Sequence, residues 1–354
     1  MIIKNNYDFF VWASDFEESR GEGKLSRIFF YKISEKYKKI FFIQTPGSHF
    51  FFKGKIVTKK KKNFSLNFYT KYLMCFYGIF LIWLNHLKGK KTIYLNYLPL
   101  WNFFIFFLLP SKTILGPITG GSYYFSVNFF NRFIRKIFFP IMYFISVNII
   151  YFKYKKVIFA TDLVKKFIPQ FYLKNFIFNF VLFSFKENKS SHDRKIDFFI
   201  YYKNHSAKNP NFLKKIISTL KKIGLSVVVF GDNPMVKDVK YFSKLNKDQL
   251  SFFLKRSRFS IISNENFYSL FCMDCITYGV RVFFDERIKP NKFFFDKSYF
   301  IPIKSNNFNL AISKIKLIYF DYYSNFKYKK NIYNNNYLVQ LKKINLFFSK
   351  SFFV

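Results

Sequence analysis

The sequence predicts an α/β fold in two domains, and three observations predict it. The first is the stretch Phe259–Asp285. It opens with a short apolar run, Phe259 to Ile262, and passes a polar turn, Ser263-Asn264-Glu265-Asn266. A helix-length segment follows, Phe267 to Tyr278, stopped by Gly279, and a second apolar run, Val280 to Phe284. Strand, acidic turn, helix, glycine and strand make a βαβ unit, whose crossover leaves its two strands parallel. The second observation is that strand- and helix-length runs alternate at this spacing elsewhere in the chain. The third is the least apolar stretch, Ser184 to Lys195, which divides 354 residues into lengths that each support a core. The expected organisation is a first domain over 1–187, a second over 188–320 and a helical tail over 321–354.

In order along the chain, Tyr7–Ala13 is the first expected strand. A loop carrying Gly21, Glu22 and Gly23 leads from it to an apolar-periodic helix from Leu25. Glycines between a first strand and a first helix let backbone approach a ligand closely. Lys39–Thr45 is the second strand. The run Lys59–Lys62 is expected as a basic loop, solvated or facing lipid. Tyr69–Leu87 is helical in period, Thr92–Tyr97 a strand, and Lys112–Leu115 a short strand. The last of these runs into Gly116-Pro117-Ile118-Thr119-Gly120-Gly121-Ser122, where the proline stiffens the turn and the glycine pair permits positive φ. Ser126–Tyr151 is helical, aromatic and basic, which fits a buried helix with a wet basic edge. Lys156–Thr161 and Asn175–Leu182 complete the strands of the first domain.

The second domain opens with strand Ile196–Tyr202, then a loop holding Lys203 and Lys208, then helix Phe212–Ile223. Strand Leu225–Phe230, a Gly231-Asp232-Asn233-Pro234 turn, a short strand Val239–Phe242 and helix Asp248–Lys255 lead back to Phe259.

Lysine and arginine number 59 against 19 acids, a net charge of +40, which fits a polyanionic partner: nucleic acid, anionic lipid or a phosphorylated substrate. Phe, Tyr, Lys, Asn and Ile all have A/T-rich codons, so coding bias contributes to this composition. Three cysteines form no disulfide framework and fit a reducing compartment. Cys272 and Cys275 lie within one helix with no second pair, so packing is their expected role. The N-terminal residues show no signal-peptide pattern. Tyr72–Leu84 and Ile137–Phe152 are apolar but shorter than the ~20 residues needed to cross a bilayer. They are expected as core helices or an interfacial face.

Within Phe259–Asp285, Glu265 precedes a helix whose open N–H groups suit a phosphate, and ligands in open α/β sheets bind beyond the C-terminal strand ends. The same acid also serves a purely local role as a first-turn residue complementing the helix dipole. The stretch resembles the donor-binding motif of GT-B glycosyltransferases of family 4 (group 1), with a fainter likeness at Glu265-Asn266 to family-10 fucosyltransferases. The resemblance implies two doubly wound, Rossmann-like domains facing across a cleft. It implies Glu265 beside the donor sugar as the catalytic acid, and Asp274, five residues before Gly279, on the ribose hydroxyls. The two acids are nine apart where the family has eight, and Asn266 and Tyr268 replace loop glycines. By the same resemblance Lys203 and Lys208 grip the donor diphosphate, aided by Asn266 and by the helix start at Tyr268, Ser269 and Leu270. On the same resemblance, Gly21, Glu22, Gly23, Asn96, Gly120, Gly121 and Ser122 form the acceptor and donor loops of the first domain, and the helix Ser126–Tyr151 lies against the membrane and the acceptor, an equal alternative to burial with a wet basic edge.

The expected activity is transfer of a hexosyl-type sugar from a nucleotide-diphosphate sugar to a lipid-linked or polysaccharide acceptor in cell-envelope glycan synthesis. No metal and no cofactor is expected. The expected partners are a nucleotide-sugar donor, a lipid-linked or glycan acceptor and an anionic membrane surface, with the protein peripheral on the cytoplasmic side. The alternative class is a basic polyanion- or nucleic-acid-binding protein without catalysis. The chain carries no helix-turn-helix, zinc-finger or RNP motif, so no specific nucleic acid is expected.

Overall fold

The computed structural model describes residues 7–17, 21–61, 68–96, 98–120, 133–154, 156–186, 194–205, 208–262, 266–325 and 332–349. The chain divides into two compact units. The first comprises residues 1–121, 133–180 and 342–354; the second comprises 122–132 and 181–341.

The first unit is built on a sheet of strands β1 (Phe9–Trp12), β2 (Phe41–Thr45), β3 (Ser48–Lys53), β4 (Lys55–Lys61), β5 (Lys91–Tyr94) and β6 (Ile114–Leu115). Their order is β4-β3-β2-β1-β5-β6. β1 is buried along its whole length and pairs in parallel with β2 and β5, as a continuous apolar run covered on both faces does. Helix α1 (Gly21–Tyr37) crosses from β1 to β2, and α2 (Phe68–Leu87) precedes β5. β3 and β4 add antiparallel strands at the edge. Lys59–Lys61, expected in a loop, therefore belong to edge strand β4, and a lysine-rich edge resists pairing with another chain.

Beyond β5 come a six-residue helix α3 (Phe103–Leu108), a π-turn over Ile134–Phe138 and helix α4 (Phe139–Lys153). The expected start of that helix, residues 126–132, lies outside the described residues. The two expected strands that follow are short: β7 (Val157–Ile158) and β8 (Phe176–Ile177) pair in parallel, and a 3-10 turn occupies Phe180–Ser184. The core packs Phe10 and Trp12 of β1 against Ile79 and Ile82 of α2 and Tyr143, Val147 and Ile150 of α4.

The second unit is a fully parallel sheet of β9 (Ile196–Tyr202), β10 (Val227–Gly231), β11 (Lys240–Phe242), β12 (Ser257–Ile261), β13 (Arg281–Asp285) and β14 (Phe300–Ile303). Its order is β11-β10-β9-β12-β13-β14, the 3-2-1-4-5-6 arrangement of a dinucleotide-binding sheet. The helices are α5 (Pro210–Lys222), α6 (Lys247–Lys255), α7 (Leu270–Thr277), α8 (Phe308–Asn325) and α9 (Asn335–Ser349). Alternation along β9 shows that both faces are covered. Phe198 and Ile200 join the core made with α5 and α8, whereas Phe199 meets Phe253 of α6 and Phe271 of α7. α5 buries Phe212, Leu213, Ile216, Ile217 and Leu220, a single helical stripe, and leaves Lys214 and Lys215 exposed. α8 runs across the expected boundary at 320. α9 is shared between the units: residues 342–349 belong to the first, where Phe348 meets Phe29 and Lys36 donates to the Phe348 and Ser349 carbonyls.

The N-terminal end of the second sheet is tied by a buried carboxylate. Asp197 accepts from the Ser226 N–H ahead of β10 at 2.8 Å, from Arg258 of β12 and from the Tyr319 hydroxyl of α8 at 3.1 Å. Replacing Asp197 with Ala takes this carboxylate away from the Arg258 guanidinium, which is only 19 % exposed. Urea denaturation of Asp197→Ala is expected to show a loss of about 3 kcal/mol, the lower end for a broken buried pair. An unchanged midpoint would show that the carboxylate is dispensable.

Candidate functional site

In a 3-2-1-4-5-6 sheet the connections leave strands 1 and 4 in opposite directions, and a crevice opens at their C-terminal ends. Here those strands are β9 and β12. β9 delivers Lys203, Asn204 and His205; β12 delivers Ile262, whose N–H is bonded to the Phe283 carbonyl at 3.0 Å, and the chain is next described at Asn266. Glu265, the expected catalytic acid, lies outside the described residues.

Lys203 does not stand alone. Its ammonium is 2.9 Å from Asp232 Oδ1, and the Asn204 N–H donates to Asp232 Oδ2 at 2.8 Å. Asp232 follows β10, the neighbour of β9, and its own N–H bonds the Tyr202 carbonyl. Burial alone would raise the Asp232 carboxyl, but Lys203 and the Asn204 N–H hold it below its ordinary range. Lys203 lies above the ordinary lysine range, chiefly because it donates to Asp232. The sequence singled out Asp232 only as part of a turn; its position, one residue past a strand next to β9, was the available signal. Lys208 lies two residues before α5, with its ammonium 6.0 Å from the Tyr201 ring centroid and its N–H on the His205 carbonyl.

The mouth of α7 gathers Asn266, Ser269 and Leu270. Ser269 is the N-cap, and its Oγ accepts from the Cys272 N–H at 3.1 Å. The N–H groups of Leu270 and Phe271 have no acceptor within the helix, as for any first turn. Tyr268 departs from expectation. Its ring is buried, and its hydroxyl donates to the Lys292 carbonyl and accepts from the Phe294 N–H, each at 3.0 Å. It ties the turn to the segment before β14, and its side chain is closed to a ligand. Asp274 lies on the body of α7, half-buried, and not at its mouth. Cys272 and Cys275 are fully buried on the same helix, and burial pushes both thiols far above their ordinary range. That is packing behaviour. Among the described residues no group of His, Cys, Asp and Glu is arranged to hold a metal.

A second acid–cation pair was missed in the sequence. Asp285, at the end of β13, is buried and holds the Arg287 guanidinium through Nε at 3.0 Å and through Nη2, while the Ser305 hydroxyl donates to it. Burial would raise this carboxyl; Arg287 and Ser305 hold it below its ordinary range. Arg287 is thereby fixed along the same sheet edge as Lys203.

In the first unit the equivalent point lies between β1 and β5. Asn96 is buried there, and its amide is spent on the β1 loop: Oδ1 accepts from Ser14 Oγ at 2.9 Å and from the Asp15 N–H at 3.2 Å, and Nδ2 donates to the Asp15 carbonyl. Asn96 fixes the loop's shape. Gly21, Glu22 and Gly23, expected in a loop, form the first turn of α1. Gly23 is required by close approach, since a Cβ there would overlap the Glu17 carbonyl. Glu22 is exposed in that turn, where an acid complements the helix dipole. Gly120 has φ +139°, and a Cβ on it would come within 3.3 Å of the Leu100 nitrogen. Gly121 and Ser122 lie outside the described residues.

No protein-family model matches the chain, and no curated protein matches it. Solved structures do. A glycosyltransferase from Rickettsia africae is similar over 98 % of this chain and 100 % of its own, with 12 % identity and a TM-score of 0.51. The sucrose-phosphate synthase of Thermosynechococcus elongatus is similar over 89 % of this chain and 90 % of its own, with 10 % identity and a TM-score of 0.62. At such identities the likeness is one of fold, and the fold is GT-B: α/β, with two Rossmann-like units.

Proposed function

We propose that the chain is a glycosyltransferase that moves a sugar from a nucleotide-diphosphate sugar to a glycan or lipid-linked acceptor, of the hexosyl type used in cell-envelope glycans. The observation that carries the reading is the crevice of the second unit. Two lysines follow β9 there, and the mouth of α7 follows β12, in a fold similar to that of a glycosyltransferase.

The chemistry fits those groups. The acceptor hydroxyl oxygen forms a bond to the anomeric carbon, and the bond from that carbon to the diphosphate oxygen breaks. The electron pair stays on the diphosphate, and the hydroxyl proton leaves to a base or to water. Charge builds on the leaving diphosphate, where preorganised cations and N–H groups stabilise the transition state most. Lys203, Lys208 and the first turn of α7 take that role, so the proposal calls for no cofactor. Glu265 orients the sugar, and Asp274 serves the nucleotide. Asn266 and Ser269 shape the α7 mouth, and the acceptor is assigned to the first turn of α1 at Gly21–Gly23 and to the stretch Gly120–Ser122. The family-4 likeness of Glu265 and Asp274 belongs to the same proposal.

The Lys203–Asp232 pair sets the conditions for binding. Asp232 has a depressed carboxyl, so its share of the pairing is complete above the ordinary carboxylate range and is lost as pH falls through the depressed value. Lys203 is raised, so its share holds up to the ordinary lysine range and is lost as pH rises through the raised value. Across neutral pH the pair is closed, and a phosphate competes with Asp232 for the ammonium. Calorimetric titration with a nucleoside diphosphate at neutral pH is therefore expected to show tighter binding by Asp232→Asn. The double variant Lys203→Ala/Lys208→Ala is expected to lose roughly 1.5–3 kcal/mol for each charge-assisted hydrogen bond removed. Unchanged affinity in both variants would remove the diphosphate from this crevice.

A separate expectation concerns Glu265. Glu265→Gln should abolish transfer while circular dichroism and the thermal midpoint stay at wild-type values, since the carboxylate is assigned to the substrate. Wild-type turnover by that variant would sink its catalytic assignment.

A further inference from the structure

We propose that the outward faces of α2, α3 and α4 form one surface that docks the first unit on an anionic lipid bilayer. This does not rest on the glycosyltransferase reading. It rests on three helices that turn large apolar side chains outward although their inward faces already complete a core.

α2 is the clearest case. Cys75, Ile79, Ile82 and Asn85 face inward and are buried, whereas Phe76, Phe80, Trp83 and Leu87 recur at helical spacing on the opposite side and are exposed. An ordinary surface helix carries its polar residues on that outer face. In α3, Ile105 and Phe106 are buried, while Phe104 and Phe107 are 52 % and 63 % exposed. In the π-turn and α4, Tyr143, Val147 and Ile150 enter the core, while Ile137, Ile141, Phe144 and Phe152 form an exposed stripe.

The stripes are continuous. The Trp83 indole of α2 donates to the Leu108 carbonyl of α3 at 2.7 Å, and Lys153 of α4 donates to the Phe106 and Phe107 carbonyls of α3. Exposed apolar surface spanning three packed helices marks an interaction site.

Charge identifies the occupant. Between Glu35 and Asp162 the sequence holds twenty lysines and arginines and no aspartate or glutamate. Lys88 and Lys90 follow α2, Lys112 follows α3, and Arg135 and Lys136 lie on the π-turn before α4. A second copy would bring the same sign to the same face, and like charges oppose that pairing. Anionic headgroups offer the opposite sign, and acyl chains accept the aromatic and aliphatic side chains; Trp and Tyr are at home at that boundary. The helix Ile134–Lys153 is long and apolar enough to span a bilayer, but crossing would pull Tyr143, Val147 and Ile150 out of the core. It lies along the surface instead.

The test is flotation of the full chain with phosphatidylcholine vesicles, with and without phosphatidylglycerol, in the absence of donor and acceptor. Binding is expected only with phosphatidylglycerol. Phe104→Ser/Phe107→Ser and, separately, Phe80→Ser are expected to lower it at least about tenfold, since each removes apolar area from the contact. Their thermal midpoints should stay at wild-type values. A second readout covers a variant that unfolds: wild-type tryptophan fluorescence should be quenched by lipids brominated in the acyl chain, through Trp83. Equal binding to neutral vesicles, binding indifferent to both variants and fully reversed by salt, or no quenching would each overturn the proposal. A dimer in vesicle-free buffer that the α3 variant dissociates would overturn it in favour of self-association.

Discussion

The carboxylate of Asp197 holds the second unit in register. It sits at the start of β9, the strand from which the connections depart in both directions, and it reaches the approach to β10, the side chain of Arg258 on β12 and the hydroxyl of Tyr319 on α8. Arg194 adds a second tie, donating to the Ser257 carbonyl and to the Tyr278 carbonyl beyond the end of α7. With one end of β9 and β12 fixed, Phe259 opposite Phe198, the separation at the other end follows from strand geometry. Lys203 after β9 and Ile262 after β12 are thereby set side by side. In this parallel sheet Asp197 and Arg194 tie the N-terminal ends, and Lys203 and Arg287 stand at the C-terminal ends.

Acids are scarce in this chain, and their placement is informative. Three cations outnumber each acid, yet Asp197, Asp232 and Asp285 each close on one cation: Arg258, Lys203 and Arg287. An isolated lysine or arginine in so basic a protein is a solvated side chain with many conformers. Paired to a carboxylate that is itself held by backbone N–H groups or a hydroxyl, it becomes a fixed donor. The cost is competition, since a phosphate must replace part of what the carboxylate already supplies. Lys203 is a point charge and shifts partner readily; Arg287 is forked onto Asp285 and keeps its orientation. The edge of the second sheet therefore offers one exchangeable cation and one rigid cation.

Much of this was legible in the sequence. β9 was expected over Ile196–Tyr202 and is found there, because a strand buried on both faces is an unbroken apolar run with polar residues at its ends. In the first unit β1, β2 and β5 stand where strands were expected, β1 for the same reason, whereas β3 was not expected. What escaped was fixed by contacts distant in sequence. Gly21–Gly23 read as a loop because glycine disfavours helix; in the structure they open α1, and Gly23 lies against Glu17, where no side chain fits. Lys59–Lys61 carry no apolar alternation, and only pairing with β3 makes them a strand. α3 is apolar in every residue and so has no period to detect. Tyr268 looked like a ligand contact because it stands at a helix mouth; its partners, Lys292 and Phe294, lie on another segment. The Asp232–Lys203 pair joins residues 29 apart and was invisible for the same reason.

Hydropathy was least informative where α2 and α4 are concerned. A mean hydropathy near zero over the chain, +0.01, averages a strongly basic set of loops with helices that are apolar all round. From sequence such helices read as core. In the structure α2 departs from the usual arrangement: beside Cys75, Ile79 and Ile82, Asn85 faces inward, with its amide satisfied by the Tyr7 hydroxyl and the Leu81 carbonyl, while Trp83 and Phe80 face outward. A buried asparagine with both ends bonded costs the core little, whereas an exposed phenylalanine gains nothing from folding. The core of the first unit is thus complete without its outer aromatics. Their presence on three contiguous helices is what the proposed docking surface accounts for, and the absence of any acid between Glu35 and Asp162 gives the proposed partner its sign.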